Sequence, residues 1–113
     1  MLYTPLASRF TTVYNTSYEG QLLFDDRQPF LDGSFVAMKG WEVPPSPQKP
    51  EGFRYSLAYI DANGNRVLGY DNAKGKGYHR HEGSRETLMT FTTIDDLVKR
   101  FLNEVKAMRR AKP

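Results

Sequence analysis

Phe53–Tyr70 reads FRYSLAYIDANGNRVLGY. Phe53, Tyr55, Leu57 and Tyr59 alternate with Arg54, Ser56, Ala58 and Ile60, the period-2 pattern of a strand with two distinct faces. Asp61-Ala62-Asn63-Gly64-Asn65 follows, and Asn-Gly is the dipeptide that enters positive φ most readily. Arg66–Tyr70 then returns with Val67, Leu68 and Tyr70. The segment predicts an antiparallel β-hairpin, and the rest of the chain is read outward from it.

Upstream, Asp32-Gly33 signals a turn and Ser34–Glu42 (SFVAMKGWE) a strand. Phe35, Ala37, Lys39 and Trp41 fall on one face and Val36, Met38 and Gly40 on the other, so both faces are expected to be covered in part. Gln21–Phe24 is a shorter apolar piece ending in Asp25-Asp26. Residues 43–52 (VPPSPQKPEG) hold four of the seven prolines, which excludes a regular helix or a central strand. A stiff, extended connection between strands is expected there, with a PxxP ligand as the alternative. Residues 1–20 show no sustained alternation, and a first strand is placed around Arg9–Tyr14.

Downstream, Asp71–Gly83 (DNAKGKGYHRHEG) has the composition of a loop, and Thr87–Thr92 that of a short strand. The chain then becomes helical over about 94–110. Ile94, Leu97, Val98, Phe101, Leu102, Val105 and Met108 keep the i, i+3, i+4 spacing of one apolar stripe. Thr93 can cap the helix with Asp96 three residues on, and Asp95, Asp96, Arg109 and Arg110 suit the helix dipole. Leu97, Phe101, Leu102 and Val105 are expected to pack on sheet residues such as Tyr55 and Leu57. The fold class is α+β: an antiparallel meander of four to five strands with one C-terminal helix packed on one face.

The 113 residues suit one domain, 1–113, large enough to bury a core without staples. Seven Phe, seven Tyr and one Trp argue against a disordered chain. The absence of cysteine excludes disulfides, a thiol nucleophile and thiolate metal sites, and fits a cytoplasmic location. No apolar run is long enough to span a bilayer, so no membrane partner is expected. MLYTPLASRF lacks the charged start and apolar core of a signal peptide. A net charge of +3 permits an acidic partner such as nucleic acid without requiring one.

The chemistry concentrates in residues 71–83. Both histidines lie there, as His79-Arg80-His81, with Lys74, Lys76, Arg85, Asp71 and Glu82 around them. In an extended chain the two imidazoles share one side and Arg80 takes the other. Paired imidazoles can act as base and acid near neutral pH, and Lys or Arg can neutralise a phosphate. Metal-independent RNA cleavage uses this set, with His79, His81, Arg80 and Asp71 as candidate catalytic residues, and His79, Arg80 and His81 are expected to converge on one anion-binding cleft with Lys74 or Lys76 nearby. Lys74, Lys76, Arg54, Arg66 and Arg85 are candidate nucleic-acid contacts, Arg54 and Arg66 lying close across the hairpin. A solvated basic loop, or a non-catalytic module that grips nucleic acid or protein through it, is the alternative. His79 and His81 with Asp71 or Glu82 can also be read as metal ligands, but the neighbouring Lys and Arg oppose a cation, so no metal and no cofactor is expected. Asn72 suits turn-making rather than catalysis, and Asp71 can both shape the turn and orient a histidine. Trp41, Tyr55 and Tyr59 can stack on bases, though strand aromatics more often fill a core.

Tyr70-Asp71-Asn72 after the hairpin, then Gly75-Lys76-Gly77-Tyr78-His79-Arg80-His81, with DGSFVAMKGWEVP and GFRYSLAY upstream, resembles the TumE-like family of small prokaryotic toxins. The likeness covers about residues 31–110. It implies a toxin of a toxin–antitoxin pair and a cognate antitoxin, often a helix-turn-helix protein. By position it carries over Tyr70, Asp71, Asn72, Gly75, Lys76, Gly77, His79, Arg80 and His81. Tyr78 departs from the polar or acidic residue expected there.

Overall fold

The computed structural model describes residues 20–73 and 77–111. Among them are six strands: β1 (Gln21–Pro29), β2 (Phe35–Glu42), β3 (Phe53–Ile60), β4 (Arg66–Asp71), β5 (His79–Glu82) and β6 (Arg85–Leu88). One helix follows, α1 (Ile94–Ala111). The strands form a single antiparallel sheet in the order β1-β2-β3-β4-β5-β6, an uninterrupted meander. The α+β architecture stands as expected, with a higher strand count. The strand placed around Arg9–Tyr14 lies outside the described residues.

The hairpin forms where Asn-Gly placed it. Gly64 takes φ 84°, and Asp61 Oδ1 accepts from the amides of Asn63 and Asn65, each at 2.9 Å. Asn72, fully buried, extends the β3–β4 pairing with a side chain in place of backbone. Its Oδ1 accepts from Tyr55 N at 3.0 Å and its Nδ2 donates to Phe53 O at 2.7 Å. This satisfies buried main-chain groups that the departing β4 leaves behind.

The core lies between the sheet and α1. Val36, Met38, Tyr55, Leu57, Tyr59, Leu68 and Tyr70 on the sheet meet Leu97, Val98, Phe101 and Val105 on the helix. Asp96 N donates to Thr93 Oγ1 at 3.1 Å, so the threonine caps α1 as its spacing implied. Leu102 does not join the buried set. It is half-buried and lines a cavity of about 350 Å³ between β1 and α1, while Val98 takes the core position. The helix is rotated so that the 97/98/101/105 stripe faces the sheet.

Three local expectations change. The Pro-rich segment is a closed loop rather than an extended one: Ser46 and Lys49 exchange main-chain bonds of 3.2 and 3.1 Å, and Val43 N donates to Gly52 O at 2.9 Å. The segment 71–83 is not all loop, because β4 runs to Asp71 and His79–Glu82 is a strand. Its helix-side Arg80 pairs with Glu104 on α1 and with Glu82 on its own strand, so the strand needs no apolar alternation. The strand expected at Thr87–Thr92 lies earlier, at Arg85–Leu88, since the turn at Gly83 (φ 60°) sets Glu82 against Arg85. Phe91 instead leaves the sheet and stacks on Tyr78, ring centroids 5.0 Å apart. Tyr78 also stacks on Tyr55 and its hydroxyl bonds Glu51, which explains an aromatic residue at that position.

Candidate functional site

Strand alternation divides the His-Arg-His motif between two faces. Gly69 opposes His81 and Asp71 opposes His79 across β4–β5, while β5–β6 sets His79 against Leu88 and His81 against Glu86. These side chains lie on the face away from α1. Tyr70 opposes Arg80 and Leu68 opposes Glu82, and these face the helix.

On the outer face the groups make a connected cluster. His81 Nε2 lies 3.0 Å from Asp71 Oδ2, and His81 Nδ1 lies 3.7 Å from Glu86 Oε2. His79 Nδ1 lies 3.0 Å from Glu86 Oε1. The imidazole centroids are 6.2 Å apart, with an interplanar angle of 28°. His79 is 8% exposed, so the cluster is set into the surface. Asp71 Oδ1 also accepts from Ala73 N at 3.3 Å, so one carboxylate both shapes the turn and orients His81. Among the described residues no group of three His, Cys, Asp or Glu is arranged to hold a metal ion.

A cation joins this face from β4. A bulge between Tyr59 and Ile60 sets Ile60 against Arg66, and the Arg66 side chain folds back over Gly69. A Cβ at Gly69 would stand 3.0 Å from Arg66 Cδ and 3.3 Å from its guanidinium carbon. The absence of a side chain at 69 therefore lets the guanidinium lie over Gly69, the residue that pairs with His81 across β4–β5.

Arg80 is committed elsewhere. Its Nε lies 3.0 Å from both carboxylate oxygens of Glu104 on α1, its terminal nitrogen 2.9 Å from Glu104 Oε1 and 3.0 Å from Glu82 Oε1. Tyr70 Oη donates to Glu104 Oε2 at 2.7 Å. Glu104, then Glu82, hold the guanidinium more firmly protonated than usual, and burial followed by Glu104 pushes the Tyr70 hydroxyl up. The single cleft expected to hold both histidines and Arg80 is thus two sites on opposite faces.

The remaining sequence candidates separate as well. Arg54 opposes Trp41 and Arg66 opposes Ile60, so the two arginines sit at opposite ends of β3 instead of side by side. Arg85 opposes Glu82, on the other face from the histidines. Lys74 and Lys76 lie outside the described residues. Tyr55 and Tyr59 are core residues, and Trp41 alone of the three lies on the outer face, under the Arg54 guanidinium at 4.2 Å. Glu86 and Glu104 are not among the residues the sequence marks as candidates. Glu86 carried one signal, its place two residues into the return strand after a glycine turn, opposite His81. Glu104 carried none, since a helix carboxylate reads as solvated until the sheet beneath it is known.

A family model described as Toxin TumE matches residues 5–109. No curated protein and no solved structure matches the chain. No helix among the described residues is long and apolar enough to cross a membrane.

Proposed function

The chain belongs to the TumE toxin family, toxins of toxin–antitoxin pairs with a cognate antitoxin as partner, and on that premise we propose that it acts by cutting RNA at the outer-face histidine cluster without a metal ion. The observation that carries this reading is the carboxylate–imidazole arrangement of Asp71, His81, Glu86 and His79, with the Arg66 guanidinium over Gly69 on the same face.

With its proton on Nε2 facing Asp71, His81 has a lone pair on Nδ1, where Glu86 stands too far away for a hydrogen bond. That nitrogen takes the proton of a ribose 2′-hydroxyl. The 2′-oxygen then bonds to phosphorus, and the bond to the 5′-oxygen breaks. His79, paired with Glu86 through Nδ1, gives a proton to that leaving oxygen. Arg66 balances charge on the phosphoryl oxygens. The products are a 2′,3′-cyclic phosphate and a free 5′-hydroxyl. Arg80 serves as a positioning residue under β5, and the antitoxin is a helix-turn-helix protein in this reading.

The test assays a mixed RNA pool in EDTA with wild type, His81→Ala and Asp71→Asn, and follows growth on induction. Wild type cleaves; His81→Ala loses roughly 100-fold or more, the scale of general acid–base catalysis. Asp71→Asn falls between them, and growth inhibition declines in the same order. Absence of cleavage by wild type, with inhibition intact in a His79→Ala/His81→Ala double variant, removes the catalytic reading and leaves a binding module.

A further inference from the structure

We infer that the outer face of the sheet is a track for single-stranded RNA, in which two arginine–aromatic pairs take unpaired bases and lead the strand to the histidine cluster; this rests on the ribonuclease reading above and names its substrate class.

Register lays the face out in rows that cross the strands. One row runs Arg27, Ala37, Ala58, Gly69, His81, Glu86 from β1 to β6. The next runs Asp25, Lys39, Ser56, Asp71, His79, Leu88. On β2 and β3 these two rows carry little bulk beyond the flexible Lys39. They end at the catalytic cluster, with Arg66 lying over Gly69 on the way.

Larger groups flank them. On one side the Arg27 guanidinium sits over the Phe35 ring, 3.7 Å from its centroid. On the other, Arg54 sits over Trp41 at 4.2 Å. Phe35 and Trp41 are six positions apart on β2, about 20 Å at the rise of a strand. A low, two-row floor therefore runs between two stacked walls toward the histidines.

The chemistry of the walls selects the ligand. A guanidinium seated on an aromatic ring is held flat and offers its other face to a planar base. Unpaired bases can present that face, whereas bases stacked inside a duplex cannot. Arg27, Lys39, Arg54 and Arg66 supply positive charge for the phosphates. Lys39 meets Asp25 at 3.7 Å with both side chains about half exposed, a contact weak enough to yield to a phosphate. The two other acids in these rows, Asp71 and Glu86, belong to the imidazole cluster.

Trp41 is the chain's one tryptophan, so its fluorescence reports on this wall alone. The full-length His81→Ala protein, silenced for cleavage, is titrated with short oligo(rA), oligo(rU) and a duplex RNA. Single strands quench Trp41 saturably; the duplex binds more weakly and quenches little. Arg54→Ala and Arg27→Ala each weaken single-strand binding about tenfold, within the range for one lost stacking partner. Each also lowers the salt slope by about 0.7, the value for one lost phosphate contact on a single strand. Arg54→Lys restores the slope but not the quenching, and thermal melting of each variant shows that it folds. Single-strand binding that leaves Trp41 unchanged and is indifferent to Arg27 and Arg54 overturns the track, as does equal duplex affinity or no RNA binding. Wild-type cleavage assayed in parallel separates the two claims. Cleavage with a failed track leaves the ribonuclease reading standing, and a working track without cleavage removes only that reading.

Discussion

Arg80 offers the sharpest choice between the sequence's reading and the structure's. As a phosphate contact, its loss would weaken RNA binding and leave the fold intact. As a strut between β5 and α1, its loss would do the reverse. Arg80 and Glu104 side chains are 22% and 35% exposed, and Glu104 is engaged through both oxygens. Exposed pairs contribute about 0.2–1 kcal/mol and charge-assisted bonds with partial burial about 1.5–3 kcal/mol. Truncating the arginine also leaves Glu104 half-buried with only the Tyr70 hydroxyl. We expect Arg80→Met, which keeps most of the alkyl stem, to cost about 2 kcal/mol, a fall in Tm on the order of 10 °C for a domain of this size. A cycle with Glu104→Gln, read by urea denaturation, should give a coupling energy of about 1–2 kcal/mol. The salt slope of RNA binding should not move. A coupling below about 0.3 kcal/mol, together with a slope reduced by about 0.7, would return Arg80 to the phosphate and refute the strut.

Three further outcomes concern two glycines and the acid limb. A Cβ at Gly40 would collide with the ring of buried Phe24, so Gly40→Ala should destabilise by about 1–3 kcal/mol in urea melts, whereas Gly69→Ala presses first on the flexible side chain of Arg66, guanidinium included, and should lower RNA cleavage with Tm nearly unchanged. The Ser34 hydroxyl and amide, then Arg109, hold the Asp32 carboxyl down at about 2 from an ordinary 3.8. Its folded-state value is depressed, so its contribution is complete above about 3.8 and is lost as pH falls through about 2. Asp32→Asn should therefore lower Tm at pH near 6 and matter much less at pH near 2, as followed by circular dichroism.

The elements legible in the sequence are those whose side chains meet a uniform environment. β3 alternates because one face is core, and α1 shows its stripe because that stripe is buried along its length. β5 was hidden for the opposite reason. His79 and His81 face a surface cluster, and on the other face Arg80 meets Glu104 of the helix and pairs with Glu82. Neither face is apolar, so neither periodicity nor composition marks a strand; only the pairing with β4 and β6 does. Leu102 shows the same limit on the helix: spacing defines a broad stripe, but the cavity beside β1 decides which edge of it is buried.

Alternation in β5 also bears on how the candidate site is held. Its outward residues carry the proposed chemistry, and its inward Arg80 is clamped by Glu104, itself held by Tyr70 from β4. Tyr70 in turn packs edge-on against Phe101, ring centroids 5.2 Å apart, at an interplanar angle of 76°. The strand that carries His79 and His81 is therefore tied on its other face to an ion pair and a core aromatic beneath the sheet. β5 is four residues long near the edge of the sheet, and strand pairing alone would leave it free to fray. If the clamp is what fixes the imidazoles, breaking it should cost cleavage while leaving affinity for RNA in place. Arg80→Met assayed at a temperature well below its own Tm should then show reduced kcat with KM within a few-fold of wild type. An unchanged kcat in a variant shown to be destabilised would mean that β4 and β6 hold the histidines without help from the helix.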